Sequence, residues 1–332
     1  MTTNWSGKKV FVTGAGGFIG SHLTEALLDL GCDVTAMIRY TSRSDWGNLE
    51  FLTQDKKSQV RVVAGALEDS YFVSRNVKGK DVVFHLGALI GIPYSYLAPQ
   101  SYVRTNIEGT TNVLEAARDH GIRRVIHTST SEVYGTAVYT PINEAHPLQP
   151  QSPYSASKIG ADMIADSFYR AFGTPIVTAR PFNTYGPRQS ARAVVPTIIS
   201  QALGPSQEIR LGALTPVRDL NFVKDTVRGL ILMGATEGID GRVLNLGTGK
   251  GISIADLAAR ILQILGVDKK ILHDDQRERP AKSEVFQLIA DSSQARDLLG
   301  WQPEYKLSQG LAETVDFIRH HPSFFKIGVY SV

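Results

Sequence analysis

The amino-acid sequence predicts an α/β fold, a doubly wound parallel sheet with a smaller α/β lobe towards its C-terminal side. Three observations predict it. Short, largely apolar runs alternate with helical patterns from residue 9 to about residue 180, as they do when strands are buried on both faces. A glycine-rich turn, Gly14-Ala15-Gly16-Gly17-Phe18-Ile19-Gly20, joins the first run to the first helical pattern, which makes the sheet Rossmann-type. After Arg180 the texture changes, and glycine and proline punctuate Pro181 to Pro216.

The elements follow in order. Lys9 to Thr13 reads as a buried strand, Phe18 to Leu30 as a helix and Asp33 to Ile38 as the next strand. Val60 to Ala64 and Asp81 to Leu86 continue the sheet, and a long helix is expected from about Pro99 to His120. A strand at Arg124 to Thr128, a helix from about Ser155 to Phe172 and a strand at Ile176 to Ala179 complete the first part. Beyond it, helices are expected at Ile254 to Leu265 and Ser308 to His320. The expected division is a dinucleotide-binding domain over 1–180 and, over 181–332, mainly a substrate lobe interleaved with it, covering the carboxyl ends of the strands where open α/β sheets bind ligands.

Composition narrows the function classes. With 42% hydrophobic and 20% charged residues the chain can fill a sizeable core. A net charge of +3, with basic residues only in isolated pairs such as Lys8-Lys9 and Arg123-Arg124, argues against a dedicated nucleic-acid binder. The single cysteine, Cys32, excludes an internal disulfide and suits a reducing compartment; it reads as a small core residue. The polar start Met1 to Trp5 is unlike a signal peptide, and no apolar run reaches the roughly 20 residues of a membrane span. A cytoplasmic protein is expected. Histidines are scattered, with only His320-His321 adjacent, so no metal site is expected.

The glycine loop points to a dinucleotide. Gly14 permits the tight turn, Gly17 lets the backbone approach a pyrophosphate, and Gly20 allows close packing of helix on strand, with Phe18 and Ile19 opening the helix between them. The second strand ends Met37-Ile38-Arg39-Tyr40-Thr41-Ser42-Arg43, without the carboxylate that usually holds the NAD ribose. Arg39 and Arg43 could receive a 2′-phosphate, which favours NADP slightly over NAD; the alternative is that both are solvated and Asp45 serves the ribose.

Two segments carry chemistry. Tyr154 and Lys158, in Tyr154-Ser155-Ala156-Ser157-Lys158, lie four apart on one face of a helix start, where an ammonium can lower a phenol pKa and make it a base for alcohol oxidation. Thr128-Ser129-Thr130-Ser131-Glu132-Val133-Tyr134-Gly135 leaves a strand at its carboxyl end, beside the expected crevice.

Together these segments resemble the extended short-chain dehydrogenase/reductases that act on nucleotide sugars, over nearly the whole chain. The shared motifs run in family order: the glycine loop, His85-Leu86-Gly87-Ala88, Asn106 in Thr105 to Thr110, the Tyr/Lys pair, and Arg180-Pro181-Phe182-Asn183-Thr184-Tyr185-Gly186-Pro187-Arg188. The resemblance implies a tightly held, recycled NAD(P) and a homodimer through the Pro99–His120 and Ser155–Phe172 helices. It implies that Thr130 bonds the sugar 4-hydroxyl, that Asn106 supports the helix at the substrate site, and that Asn183 and Arg188 face the nucleotide diphosphate. Arg218 and Arg279 look like further phosphate or ribose contacts.

Glu132 is similar to the carbon-5 base of 4,6-dehydratases. With Ser131 where many dTDP-sugar dehydratases carry an Asp acid, Glu132 must also serve the departing hydroxyl, as in GDP-mannose dehydratases. The same wording occurs in UDP-glucuronate decarboxylases, which stay open, as does a 4-epimerase. Segments such as Arg43-Ser44-Asp45-Trp46-Gly47 and Arg279-Pro280-Ala281-Lys282-Ser283-Glu284-Val285 resemble the 4,6-dehydratases of legionaminic-acid-type synthesis, whose substrate is GDP- or UDP-N-acetylglucosamine. That branch is described as NAD-dependent, against the arginine argument. A non-catalytic dinucleotide-sensing scaffold is the alternative outside enzymes, and the intact Tyr/Lys pair with Glu132 speaks against it.

Overall fold

The protein's computed structural model describes residues 4–277 and 280–325. The first part builds β1 (Lys9–Thr13), α1 (Phe18–Asp29), β2 (Asp33–Arg39), α2 (Gln54–Gln59), β3 (Arg61–Gly65), α3 (Ser70–Val77) and β4 (Val82–His85). Then come α4 (Ile92–Leu97), α5 (Pro99–Tyr102), α6 (Gly109–Asp119), β5 (Arg124–Thr128), α7 (Pro153–Phe172) and β6 (Ile176–Pro181). The long helix expected from Pro99 to His120 is not uniform: a π-turn over Val103–Glu108 sits between α5 and α6. Sequence periodicity does not register a single wider turn.

The strands form one parallel seven-stranded sheet in the order β10-β6-β5-β4-β1-β2-β3, doubly wound as expected. Alternation along β1 shows how it is covered. Val10 and Val12 pack with Leu23 and Leu27 of α1 on one face, while Phe11 packs with Val113 and Leu114 of α6 on the other. All seven side chains are fully buried, each contributing about 1.5–3 kcal/mol of hydrophobic stabilisation.

The edge strand β10 comes from far along the chain. Between β6 and it lie β7 (Asn183–Tyr185), α8 (Val194–Leu203), β8 (Glu208–Leu211), β9 (Val217–Phe222) and α9 (Val223–Ala235); β10 itself is Val243–Leu246. The glycine- and proline-rich stretch thus contains a ten-residue helix, with Pro196 tolerated in its first turn, where no amide is required. β11 (Gly251–Ser253), α10 (Ile254–Leu265), β12 (Lys270–His273), β13 (Gln287–Leu288), α11 (Ser293–Leu299), α12 (Leu307–His320) and α13 (Pro322–Phe325) follow. β9 is flanked by β11 and β13 and also pairs with β7, and β8 pairs with β12. These small sheets follow β6 and its carboxyl end, with Asn183 beside Leu220 in the β7–β9 register. Among the described residues no helix is long and apolar enough to cross a membrane.

Candidate active site

The glycine loop leaves β1 and enters α1 as expected. Gly14 has φ +69°, and a Cβ there would lie 2.8 Å from the Gly87 backbone. A Cβ at Gly20 would lie 2.2 Å from the Gly14 carbonyl oxygen, so helix and loop meet backbone to backbone. Gly17 caps α1 with no side-chain hydrogen bond, and Phe18 and Ile19, in the first turn, are half-buried. The residues present fit a dinucleotide: an uncapped N-terminus and a glycine cradle suit a pyrophosphate. Thr13 braces the loop from below, its hydroxyl accepting from the Leu86 and Gly87 amides at 3.1 and 3.0 Å. It also bonds His85 Nδ1, and the other ring nitrogen of His85 reaches Thr110. Burial holds His85 neutral.

Arg39 ends β2 and Arg43 follows in the loop, and both side chains are exposed. Asp45 accepts from the Gly47 amide at 3.2 Å, which engages one of its oxygens within its own turn.

Tyr154 and Lys158 stand on the first two turns of α7. Ser152 and Ser155 form a reciprocal capping box and Pro153 pre-sets the first turn, which fixes where the phenol points. Both side chains are buried. Lys158 Nζ donates to the Thr128 carbonyl at 2.7 Å, and burial lowers its pKa from the usual value to about 8, opposed by Asp162. The phenol is raised above its ordinary value, first by burial and also by the Glu132 charge, while the Thr130 hydroxyl draws it down. Lys158 is not among the groups that move it most. The expected lowering by the ammonium is outweighed by desolvation of the buried phenol.

Thr130, Ser131 and Glu132 follow β5 directly. Thr130 caps the short turn Ser131–Tyr134, accepting from the Glu132 amide at 3.2 Å. Ser131 is buried and Glu132 half-buried. Thr130, Glu132 and Tyr154 thus converge at the carboxyl end of the sheet.

A group that the sequence reading missed lies beneath. Asp162, one turn beyond Lys158, is buried and accepts from His127 Nε2 at 3.0 Å, Ser129 Oγ at 2.8 Å, and Arg180 Nε and Nη2 at 3.2 and 2.9 Å. Burial pushes its carboxyl up, but His127, Arg180 and Lys158 overcome this and hold it below the usual range. An acidic residue at i+4 from Lys158, with Ala161 and Ala165 beside it on the same helix face, was the available signal.

The expected substrate contacts divide. Asn106 is fully committed within the protein: it accepts from the Leu89 amide at 2.8 Å and donates to the Leu89 carbonyl and to Ser157 Oγ at 3.0 and 2.9 Å. Both of its donors are used and its oxygen already accepts one bond, so it acts as a positioning residue that ties the π-turn to α7. Asn183 keeps its Oδ1 buried without a protein partner, as a ligand contact would. Arg188 is turned onto α1, where Nη2 meets Glu25 at 2.7 Å. Arg218 lies on β9 and pairs with Glu284 at 3.1 Å. Arg279 lies outside the described residues.

Comparison with known proteins agrees with this geometry. The family model described as GDP-mannose 4,6 dehydratase matches residues 11–314. The dTDP-glucose 4,6-dehydratase of Streptomyces antibioticus is 31% identical over 320 residues, 96% of this chain and 94% of that protein. The UDP-glucose 4-epimerase of Mycolicibacterium smegmatis is 33% identical over 319 residues, 94% of this chain and 99% of that one. The crystal structure of the Streptomyces venezuelae dTDP-glucose 4,6-dehydratase with NAD bound superposes with a TM-score of 0.86 at 30% identity, covering 96% of this chain and 99% of that one.

Proposed function

We propose, for a chain that belongs to the nucleotide-sugar dehydratase and epimerase family of extended short-chain dehydrogenase/reductases, the activity of a 4,6-dehydratase on an N-acetylglucosamine nucleotide, GDP- or UDP-linked. One observation carries the reading: a half-buried carboxylate, Glu132, stands close enough to Tyr154 for its charge to oppose ionisation of the phenol. Turning over a 4-keto sugar needs no such base, whereas elimination does.

A bound nicotinamide supplies hydride acceptance at carbon 4 and hydride return at carbon 6. Tyr154 takes the proton of the 4-hydroxyl, and Thr130 holds the same oxygen. Lys158, fixed on the Thr128 carbonyl, keeps a cation beside the site. Glu132 removes the carbon-5 proton, made acidic by the 4-ketone, and delivers it to the carbon-6 hydroxyl, which leaves as water. Hydride return to carbon 6 is matched by proton uptake at carbon 5, balanced by the proton that Tyr154 took from the 4-hydroxyl. Ser131 is buried and carries no acid, so one carboxylate serves both ends of the elimination. Asn183 and Arg188 are the groups proposed for the nucleotide diphosphate, with Arg218 a further phosphate or ribose contact; Arg188 Nε and Nη1, buried donors without a protein partner, support its part.

The cofactor is NADP or NAD. Exposed Arg39 and Arg43 support the first, and NAD in the S. venezuelae enzyme supports the second; fluorescence titration with both reduced forms decides by which binds tighter. A homodimer through the Pro99–His120 stretch and α7 belongs to the same reading, supported by exposed Val103, Met163 and Phe172. A monomer mass in sedimentation would remove it.

The test is to incubate the protein with UDP- and GDP-N-acetylglucosamine and weigh the products. Loss of one water names the reaction and the carrier. Unchanged mass with altered sugar proton couplings points to the 4-epimerase, and carbon dioxide from UDP-glucuronate to the decarboxylase. In Glu132→Gln elimination should slow about 100- to 10,000-fold with cofactor still bound; wild-type turnover would remove Glu132 from the mechanism.

A further inference from the structure

We propose that Asn48, backed by the Glu25–Arg188 ion pair, is a latch that keeps the dinucleotide in place by pinning the glycine loop to the 186–188 turn of the other lobe. The inference rests on the nicotinamide-recycling reading, in which the cofactor must outlast each turnover.

Four observations converge on the latch. The Asn48 amide donates to the Gly16 carbonyl at 2.8 Å, so the segment after β2 lies directly on the glycine loop. The fit is closed: a Cβ at Gly16 would lie 2.9 Å from the Trp46 carbonyl oxygen, and one at Gly47 2.7 Å from the Gly16 oxygen. The same residue then reaches the other way, Asn48 Nδ2 donating to the Arg188 carbonyl at 2.9 Å in a buried position. Third, α1 holds the 187–188 turn independently. His22 Nε2 bonds the Pro187 carbonyl at 2.9 Å and Glu25 bonds Arg188 Nη2 at 2.7 Å. Burial and Arg188 keep His22 neutral, lowering its pKa to about 4, so its Nε2 can carry the proton for that bond.

Fourth, among the described residues only Ser44 and Arg188 are non-glycine residues with positive φ, +55° and +66°. Both flank the latch. Such backbone persists only where its surroundings over-determine it. The arrangement leaves the reacting groups at Tyr154 untouched and acts on the wall of the pyrophosphate cradle. Asn48 is thus a positioning residue whose effect is on cofactor release.

The experiment loads wild-type protein, Asn48→Ala and Glu25→Gln with NADH and follows release by fluorescence after a chase with excess NAD. Asn48→Ala loses one buried hydrogen bond and orphans a carbonyl, so release should quicken about tenfold. Glu25→Gln, which keeps the shape of a partly exposed side chain, should quicken it about threefold. Turnover by the latch variants should decay as cofactor is lost and recover on adding NAD, which a simple folding defect would not do. Release rates of both variants within twofold of wild type overturn the latch, even where the wild type dehydrates its sugar. Faster release without any dehydrated product keeps the latch and removes the dehydratase reading. A wild-type protein that binds no NADH removes both.

Discussion

Two aspartates, both buried, behave in opposite ways. Asp162 lies one turn beyond Lys158 on α7, and Asp219 lies on β9. Asp219 is the more hydrogen-bonded by backbone. Its oxygens accept from the Thr248 amide and hydroxyl at 2.8 and 2.6 Å, the Gly249 amide at 2.8 Å and the Ala290 amide at 3.1 Å. Yet burial raises its pKa above the usual range, and those bonds only reduce the shift. Among the described residues Asp162 has no main-chain partner, but it has the His127 hydrogen bond and two cations, Arg180 and Lys158, and its pKa falls. Backbone and hydroxyl donors alone only soften the desolvation of this kind of carboxylate; a histidine donor with cations beside it reverses the shift. One is therefore an ionised counter-charge to Arg180 and Lys158, and the other is a strut that ties β9 to the 247–249 turn and to β13's flank.

The largest effect expected from breaking this comparison is at Asp162. Asp162→Asn leaves Arg180 and Lys158 buried without an anion, and should cost about 3–5 kcal/mol of unfolding free energy in denaturant melts. A loss under about 1 kcal/mol would show that the charge does not matter there. The same change removes the group that holds the Lys158 pKa up, so the alkaline limb of an activity profile that needs the Lys158 cation should move to lower pH. An unmoved profile would confine Asp162 to folding. Asp219→Asn should cost less, about 1–3 kcal/mol, since it turns an amide donor towards amide donors but removes a charge that burial disfavours.

The smallest effect separates the two by pH. Asp162 has a lowered folded pKa, so its stabilisation is full above the unfolded value of about 3.9 and is lost as pH falls through the folded one. Asp219 has a raised folded pKa, so its charge penalty stands at neutral pH and is relieved as pH falls towards about 4. Between pH 7 and about 4.5 the gap between wild type and Asp162→Asn should stay constant, while wild type gains on Asp219→Asn. Parallel changes for both variants would break the contrast.

Part of this was legible in the sequence. The β1 turn, the Tyr154–Lys158 spacing and the Thr130–Glu132 segment follow local rules, in which spacing decides which groups meet. Helix α8 was hidden because Pro196 sits where proline is harmless and glycines flank it. Asp162 and His127 are 35 residues apart, and the Asn48–Arg188 bond spans 140; neither has a local pattern. Resemblance puts Asn106 at the substrate site, and only the geometry shows both ends of its amide already used.

The position of β10 bears on how the chain is made. β6 is complete at Pro181, but its outer neighbour in the sheet is Val243–Leu246. During synthesis that edge stays unpaired until more than sixty further residues have emerged, and an unpaired apolar strand edge is where chains associate wrongly. At about 5–20 residues per second the exposure lasts several seconds. A chain cut before residue 243 would leave that edge open for good, and lowered yield in soluble form is the expected result of the truncation.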